Sequence, residues 1–228
     1  MSHQKDDIIE KIQKLRKTMK PEGRESSYDF CFGYFQTHRH HLSENMELSC
    51  LHLWGYLASW GMLRGSSELL NCYNMKVLSG IIEYLDKLED NDWELDIPDY
   101  NNEEACKRVV KIYNEISTRL DDHKISATVT LVTKIMMGTL GCVPAIDSYL
   151  AKAYREEFKD NMPQGAFRVL NTQTLECFYE FYKDNHEDID ALQYPVMDFE
   201  GKPSNLLYTK AKLTDMYGWK MGEEEIKK

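Results

Sequence analysis

Apolar residues recur along this chain at intervals of three and four far more often than they alternate, the spacing of helices that bury one face. Ile8, Ile9, Ile12, Leu15 and Met19 share such a face and predict a helix over residues 7–19, which Pro21 and Gly23 end. The aromatic run Tyr28, Phe30, Phe32, Tyr34 and Phe35 alternates enough to suggest a strand. No partner strand stands nearby, so a buried helix is the preferred reading. From Ser43 to Leu63 apolar side chains occupy most of the circumference, as in a central helix packed on several sides, and Gly65 reads as its stop. Ser66 or Ser67 then caps a helix running through Leu69, Leu70, Val77, Leu78, Ile81 and Leu85.

The acid-rich stretch 89–102, with Pro98, reads as a solvated loop. Asn101 followed by Glu104 resembles a capping box ahead of Val109, Val110, Ile112, Ile116 and Leu120. Next come a nearly all-apolar helix over 129–140, a glycine break, a connector carrying Pro144, and Asp147 where the helix 148–158 begins. Further helices are expected at 174–182 and 205–217, the latter closed by Gly218. Without alternating strands or internal repeats, the expectation is all-α: a multi-helix globular bundle, either a single domain over 1–228 or two helical lobes joined by the 89–102 linker.

At 228 residues the chain can bury a core large enough to need neither disulfides nor a structural metal. A net charge of −10 argues against non-specific coating of nucleic acid or anionic membrane, though not against a local basic patch. No apolar run reaches the length of a membrane span, and the polar opening from Met1 to Asp7 does not read as a signal peptide. A cytoplasmic location is expected. The cysteines at 31, 50, 72, 106, 142 and 177 form no C-x-x-C pair and read as reduced thiols. Walker loop, nucleophile elbow and dinucleotide fingerprint are all missing from the sequence, and no cofactor is implied.

Four groups of residues carry candidate chemistry. Asp147, as a helix cap, accepts backbone N–H groups and sits at the positive end of a helix dipole, which favours its ionised form. Capping alone accounts for the residue; an active-site role is the competing reading. Arg64, Ser66 and Ser67 lie between two predicted helices, where they either satisfy helix ends or hold an anion. His38 and His41 have metal-pair spacing but no third ligand is marked out. The acids from Glu89 to Asp99 suggest a calcium loop, but Leu95 stands where the turn glycine belongs and Asn101 where the closing glutamate belongs. No metal is therefore expected.

The text Val143-Pro144-Ala145-Ile146-Asp147-Ser148-Tyr149-Leu150, preceded by the apolar helix, resembles the helix-hairpin-helix DNA glycosylase superfamily over residues 116–158. That resemblance implies a protein that recognises a nucleic-acid base extruded from the duplex, with base excision as its chemistry. It makes Asp147 the carboxylate that stabilises charge on the sugar, and Lys124 the hairpin amine of a bifunctional mechanism. Arg64, Ser66 and Ser67 become phosphate contacts, and Trp54 or Trp60 an aromatic wall of the pocket. The chain departs from the family at the hairpin, where 121–128 holds two acids and no glycine in place of a Gly-rich turn. The expected partner is DNA or a nucleotide-like ligand. The alternative is a non-enzymatic helical module for a protein partner or a small anionic ligand.

Overall fold

The computed structural model describes residues 2–160 and 167–226. Among them are eleven α-helices and one two-stranded antiparallel sheet, so the chain is mostly helical. No described helix is long and apolar enough to cross a membrane.

The first helix, α1 (Ser2–Thr18), packs Ile8 and Ile12 into the core. The aromatic run forms α2 (Ser27–Thr37), with Tyr28, Phe32 and Phe35 fully or almost fully buried. A short 3-10 turn leads into α3 (Met46–Ser59), which ends earlier than expected. Gly61, at φ +72°, makes the turn, and the N–H groups of Gly61 and Met62 satisfy the carbonyls of Ala58 and Leu57. Gly65 is not the stop. The helix expected from Ser66 to Leu85 is broken in two: α4 (Glu68–Cys72), then an extended Tyr73, a 3-10 turn capped by Asn74, and α5 (Ser79–Leu85). Asn74 competes with the helix by accepting the Lys76 N–H on its own side chain.

The acidic stretch is not a solvated linker. It holds α6 (Asp90–Trp93) and a 3-10 turn over Ile97–Asn101, and it buries Trp93, Leu95, Ile97 and Tyr100 against the core. Its carboxylates cap backbone N–H groups there. The cap of α7 (Glu103–Asp122) is Asn102, one residue after the expected position.

The enclosed helix of the molecule is α8 (Val129–Thr139), not α3, which leaves Leu48 and Leu51 exposed. Thr128 caps α8 through the Leu131 N–H, and every residue from Leu131 to Thr139 is buried. Each of its Leu, Ile and Met side chains contributes roughly 1.5–3 kcal/mol by leaving water, which offsets the cost of the single lysine among them. The helices α2, α3 and α7 pack around it. Gly138 lets α3 approach closely, because a Cβ there would lie 2.5 Å from the Tyr56 ring.

After the connector come α9 (Ser148–Glu157) and α10 (Thr172–Ala191), the latter longer than expected and kinked at Asn185. A hairpin that the sequence did not suggest follows: β1 (Pro195–Met197) paired with β2 (Pro203–Leu207). It takes up Asn205, so α11 (Lys210–Ile226) starts later than predicted and runs through Gly218 rather than stopping there. Gly218 and Gly222 instead form the closest approach to α9. A Cβ at Gly222 would lie 2.0 Å from the Tyr149 carbonyl oxygen.

Candidate functional site

Between α1, α3, α8, the connector that ends at Asp147 and α11 lies a pocket of about 320 Å³, at the lower end of the range for small-molecule sites, roughly 300–1,000 Å³. Its chemistry comes from two lysine–aspartate pairs and the rings of Tyr56, Trp60 and Trp219.

The connector between α8 and α9 sets the position of Asp147. Gly141 turns the chain at φ +66° where Phe32 and Thr209 leave no space for a Cβ. Side chains then take up the buried backbone groups of the following residues. Thr209 donates to the Gly141 carbonyl, Tyr100 to that of Cys142, and Thr130 to that of Ile146. The Ile146 N–H donates to Thr133, and the Ala145 N–H to Asp215 at 3.0 Å. A segment tied at this many points holds its last residue to one place.

Asp147 caps α9 as the sequence suggested: one carboxylate oxygen accepts the N–H groups of Tyr149 and Leu150, each at 3.0 Å. The other oxygen lies 3.7 Å from the Lys134 ammonium, beyond hydrogen-bond length. Burial pushes the Asp147 carboxyl above its ordinary value; Lys134 and the two backbone amides pull it back, and Asp215 raises it further. Capping is thus only part of its electrostatics. Burial pushes the Lys134 amine down, while Asp147 and Asp215 oppose the shift. Only 4% of Lys134 is exposed, and lysine is almost never this buried without a close partner.

The second pair sits on α11. Lys212 meets Asp215 at 3.1 Å, and its ammonium lies 4.5 Å from the centre of the Tyr28 ring. Trp60 serves both lysines, with Lys134 Nζ 4.9 Å and Lys212 Nζ 5.7 Å from its centre. Arg24 lies over the same ring at 5.2 Å. Such a pocket can bind a planar polar molecule between aromatic faces, and it presents an amine and a carboxylate to it.

The structure brings Asp147 and Trp60 together and leaves the other sequence candidates elsewhere. Lys124 lies in the exposed loop between α7 and α8, at φ +58°, and does not line the pocket. Arg64 and Ser66 are exposed, and Ser67 caps α4 through the Leu70 N–H. Trp54 lines a separate groove with Met46, Leu51 and Met75. His41 pairs with Glu44, His38 bonds the Tyr34 carbonyl, and no group of three potential metal ligands is assembled among the described residues. All six cysteines are free thiols, and only Cys72 is exposed.

Sequence reasoning passed over Lys134, Lys212, Asp215 and Tyr56. Lys134 had left a trace, as the sole charged residue of an otherwise apolar or hydroxylated helix. Lys212 and Asp215 had left none, since exposed pairs such as Lys159–Glu156 and Lys183–Glu180 share their spacing of three. Comparison of the chain with protein-family models, with curated proteins and with solved structures found no match.

Proposed function

We propose that the pocket is a base-recognition and base-excision site of the DNA glycosylase type, in which Lys134, rather than Lys124, is the attacking amine and Asp147 the charge-stabilising carboxylate. The observation that carries this reading is the placement of a nearly fully buried lysine 3.7 Å from a helix-capping aspartate inside an aromatic pocket. A lysine becomes a nucleophile at neutral pH when burial makes its charged form costly. A buried carboxylate facing the same space stabilises positive charge developing on a sugar ring.

In the proposed step the Lys134 lone pair forms a bond to the anomeric carbon as the bond from that carbon to the base nitrogen breaks. The base leaves with the bonding electrons and takes a proton from solvent, and the amine loses a proton to solvent. Opening of the sugar ring then yields an imine. The base itself would lie against Trp60 after extrusion from the stack.

The test is borohydride trapping on duplexes carrying damaged bases. Reduction of the imine should join protein and DNA covalently in the wild type and in Lys124→Gln, but not in Lys134→Gln. Equal trapping in the wild type and Lys134→Gln would overturn the assignment of the amine. Base release without trapping would leave Asp147 acting with water.

The charge favours a second reading. The chain carries a net −10, and Glu25 and Glu223 are among the pocket's lining residues, which suits a small ligand better than a duplex. In that case the protein is a helical module that binds a free nucleotide-like or other small polar molecule. Titration at low salt separates the two, because absence of any DNA binding there removes the glycosylase reading.

A further inference from the structure

We propose that Lys212 is the positioning residue of this pocket: a fixed cation, anchored by Asp215 and the Tyr28 ring, whose charge beside Lys134 favours the neutral, attacking form of that amine. The inference rests on the reading of Lys134 as a nucleophile, and it extends that reading to a residue that does not itself react.

The two lysines share one ring and have unequal partners. Lys212 has a carboxylate at hydrogen-bond distance, 3.1 Å, and an aromatic face at 4.5 Å. Both hold its ammonium group in place. Lys134 has Asp147 at 3.7 Å, and the other oxygen of that carboxylate is engaged by two backbone amides. When two buried ammonium groups lie within 6 Å of one ring centre, the less well partnered gives up its proton more readily. Lys134 is that group. A second cation beside a desolvated lysine is a known physical route to an amine that reacts at neutral pH.

The remaining charges do not cancel the effect. From the connector ahead of α9 comes Asp147, and from α11 come Asp215, Lys220 and Glu223, the last two joined at 2.8 Å. Tyr56 on α3 is a neutral phenol, its ionisation pushed well up by burial. From α2 come Tyr28, likewise pushed up by burial, and Asp29, which is committed to Tyr208 and the Met197 N–H. Ahead of α2 stand Glu25 at the pocket and Arg24 over Trp60. Of these, Asp147 and Asp215 act on Lys134 to hold its proton, and Lys212 acts to release it.

The experiment needs no nucleic acid. Brief reductive methylation of the folded, full chain with formaldehyde and cyanoborohydride is run from pH 6 to pH 10, and the modification of residue 134 is read by mass spectrometry. Formaldehyde carbon bonds to Nζ, its oxygen leaves as water, and hydride from cyanoborohydride completes the methyl group. In Lys212→Gln the midpoint of the Lys134 profile should rise, and labelling at pH 7 should fall about tenfold, the scale of one unit charge removed from within ~10 Å at an effective dielectric of about 20. Lys212→Arg should restore the wild-type profile. Asp215→Asn should move the midpoint down, whereas mere loosening of the pocket would move it up in both variants.

A Lys212→Gln profile that superimposes on the wild type, or an Asp215→Asn shift in the same direction as Lys212→Gln, overturns the proposal. Absence of both base release and borohydride trapping on DNA alongside the expected methylation profiles would instead remove the glycosylase reading and leave the role of Lys212 standing.

Discussion

The carboxylate of Asp96 accepts the backbone N–H of Lys210 at 2.6 Å and that of Ala211 at 2.8 Å, so the first turn of α11 is capped by a residue 114 positions earlier in the chain. The helix that carries Lys212 and Asp215 is therefore positioned by a residue distant in sequence. Burial pushes the Asp96 carboxyl up to about 6, with the backbone N–H groups of Lys210, Ala211 and Ile97 pulling it down.

That shift makes stability depend on pH. A carboxyl raised above its unfolded value of 3.8 binds its proton more tightly in the folded chain, so its contribution is fully present below about pH 4 and is lost as pH rises through about 6. The loss is about 3 kcal/mol at about 1.4 kcal/mol per unit. Urea unfolding of Asp96→Asn against wild type, stepped from pH 4 to 7, should show the difference moving in favour of the variant by that order. A constant difference across the range would show that Asp96 titrates alike in both states.

The helix cap made by Asp147 and the charge-stabilising role proposed for it can be separated by substitution. Asparagine caps helices about as well as aspartate, so Asp147→Asn should melt within a few degrees of wild type. Asp147→Ala should cost about 1 kcal/mol through the lost cap. Both should abolish base release, the first without a stability penalty. Retained base release in Asp147→Asn would reduce the residue to a cap.

Gly222 has backbone, not a flexible side chain, in the way of any added carbon. Gly222→Ala should force α9 and α11 apart and destabilise the chain by about 3 kcal/mol, at the upper end for overpacking. Ligand binding should weaken with it, because Asp147 starts one of these helices and Lys212 and Asp215 sit on the other. Chemical denaturation measures the first effect and ligand titration the second.

Arg16, Asp29 and Tyr208 tie the hairpin to α1 and α2. Arg16 and Asp29 approach to 3.5 Å, the Tyr208 hydroxyl donates to Asp29, and Arg16 donates to the Pro195 carbonyl. Removing Arg16 takes from a buried carboxylate the larger of the two cationic influences on it, the other being Lys212, and Arg16→Met should cost about 3 kcal/mol. Tyr208→Phe should cost less, about 1–3 kcal/mol. A thermal melt of each variant checks the order, and a harmless Arg16→Met would mean that Asp29 is held by hydrogen bonds alone.

Local signals in the sequence located most of the helices and the Asp147 cap, because periodicity and capping depend on residues a few positions apart. They failed where distant parts of the chain decide. The acids of residues 89–102 resemble a solvated loop until Asp96 meets α11. Gly218 resembles a helix stop until Tyr154 of α9 fills the space above it. The hairpin escaped notice because its strands hold three and five residues, and prolines at 195 and 203 conceal the alternation. Of the pocket, only Asp147 and Trp60 were visible. Lys212 and Asp215 acquire meaning from burial alone, and burial is a property of the assembled bundle.

The bond between the Ala145 N–H and Asp215 joins residues 70 positions apart, and it has a consequence during synthesis. A nascent chain that has emerged only as far as Asp147 still lacks the α11 wall, and its amine at position 134 is solvated like any other. The surroundings that the proposed chemistry at Lys134 requires are therefore complete only when the later helix docks, which would keep the growing polypeptide from capturing stray aldehydes before it is finished.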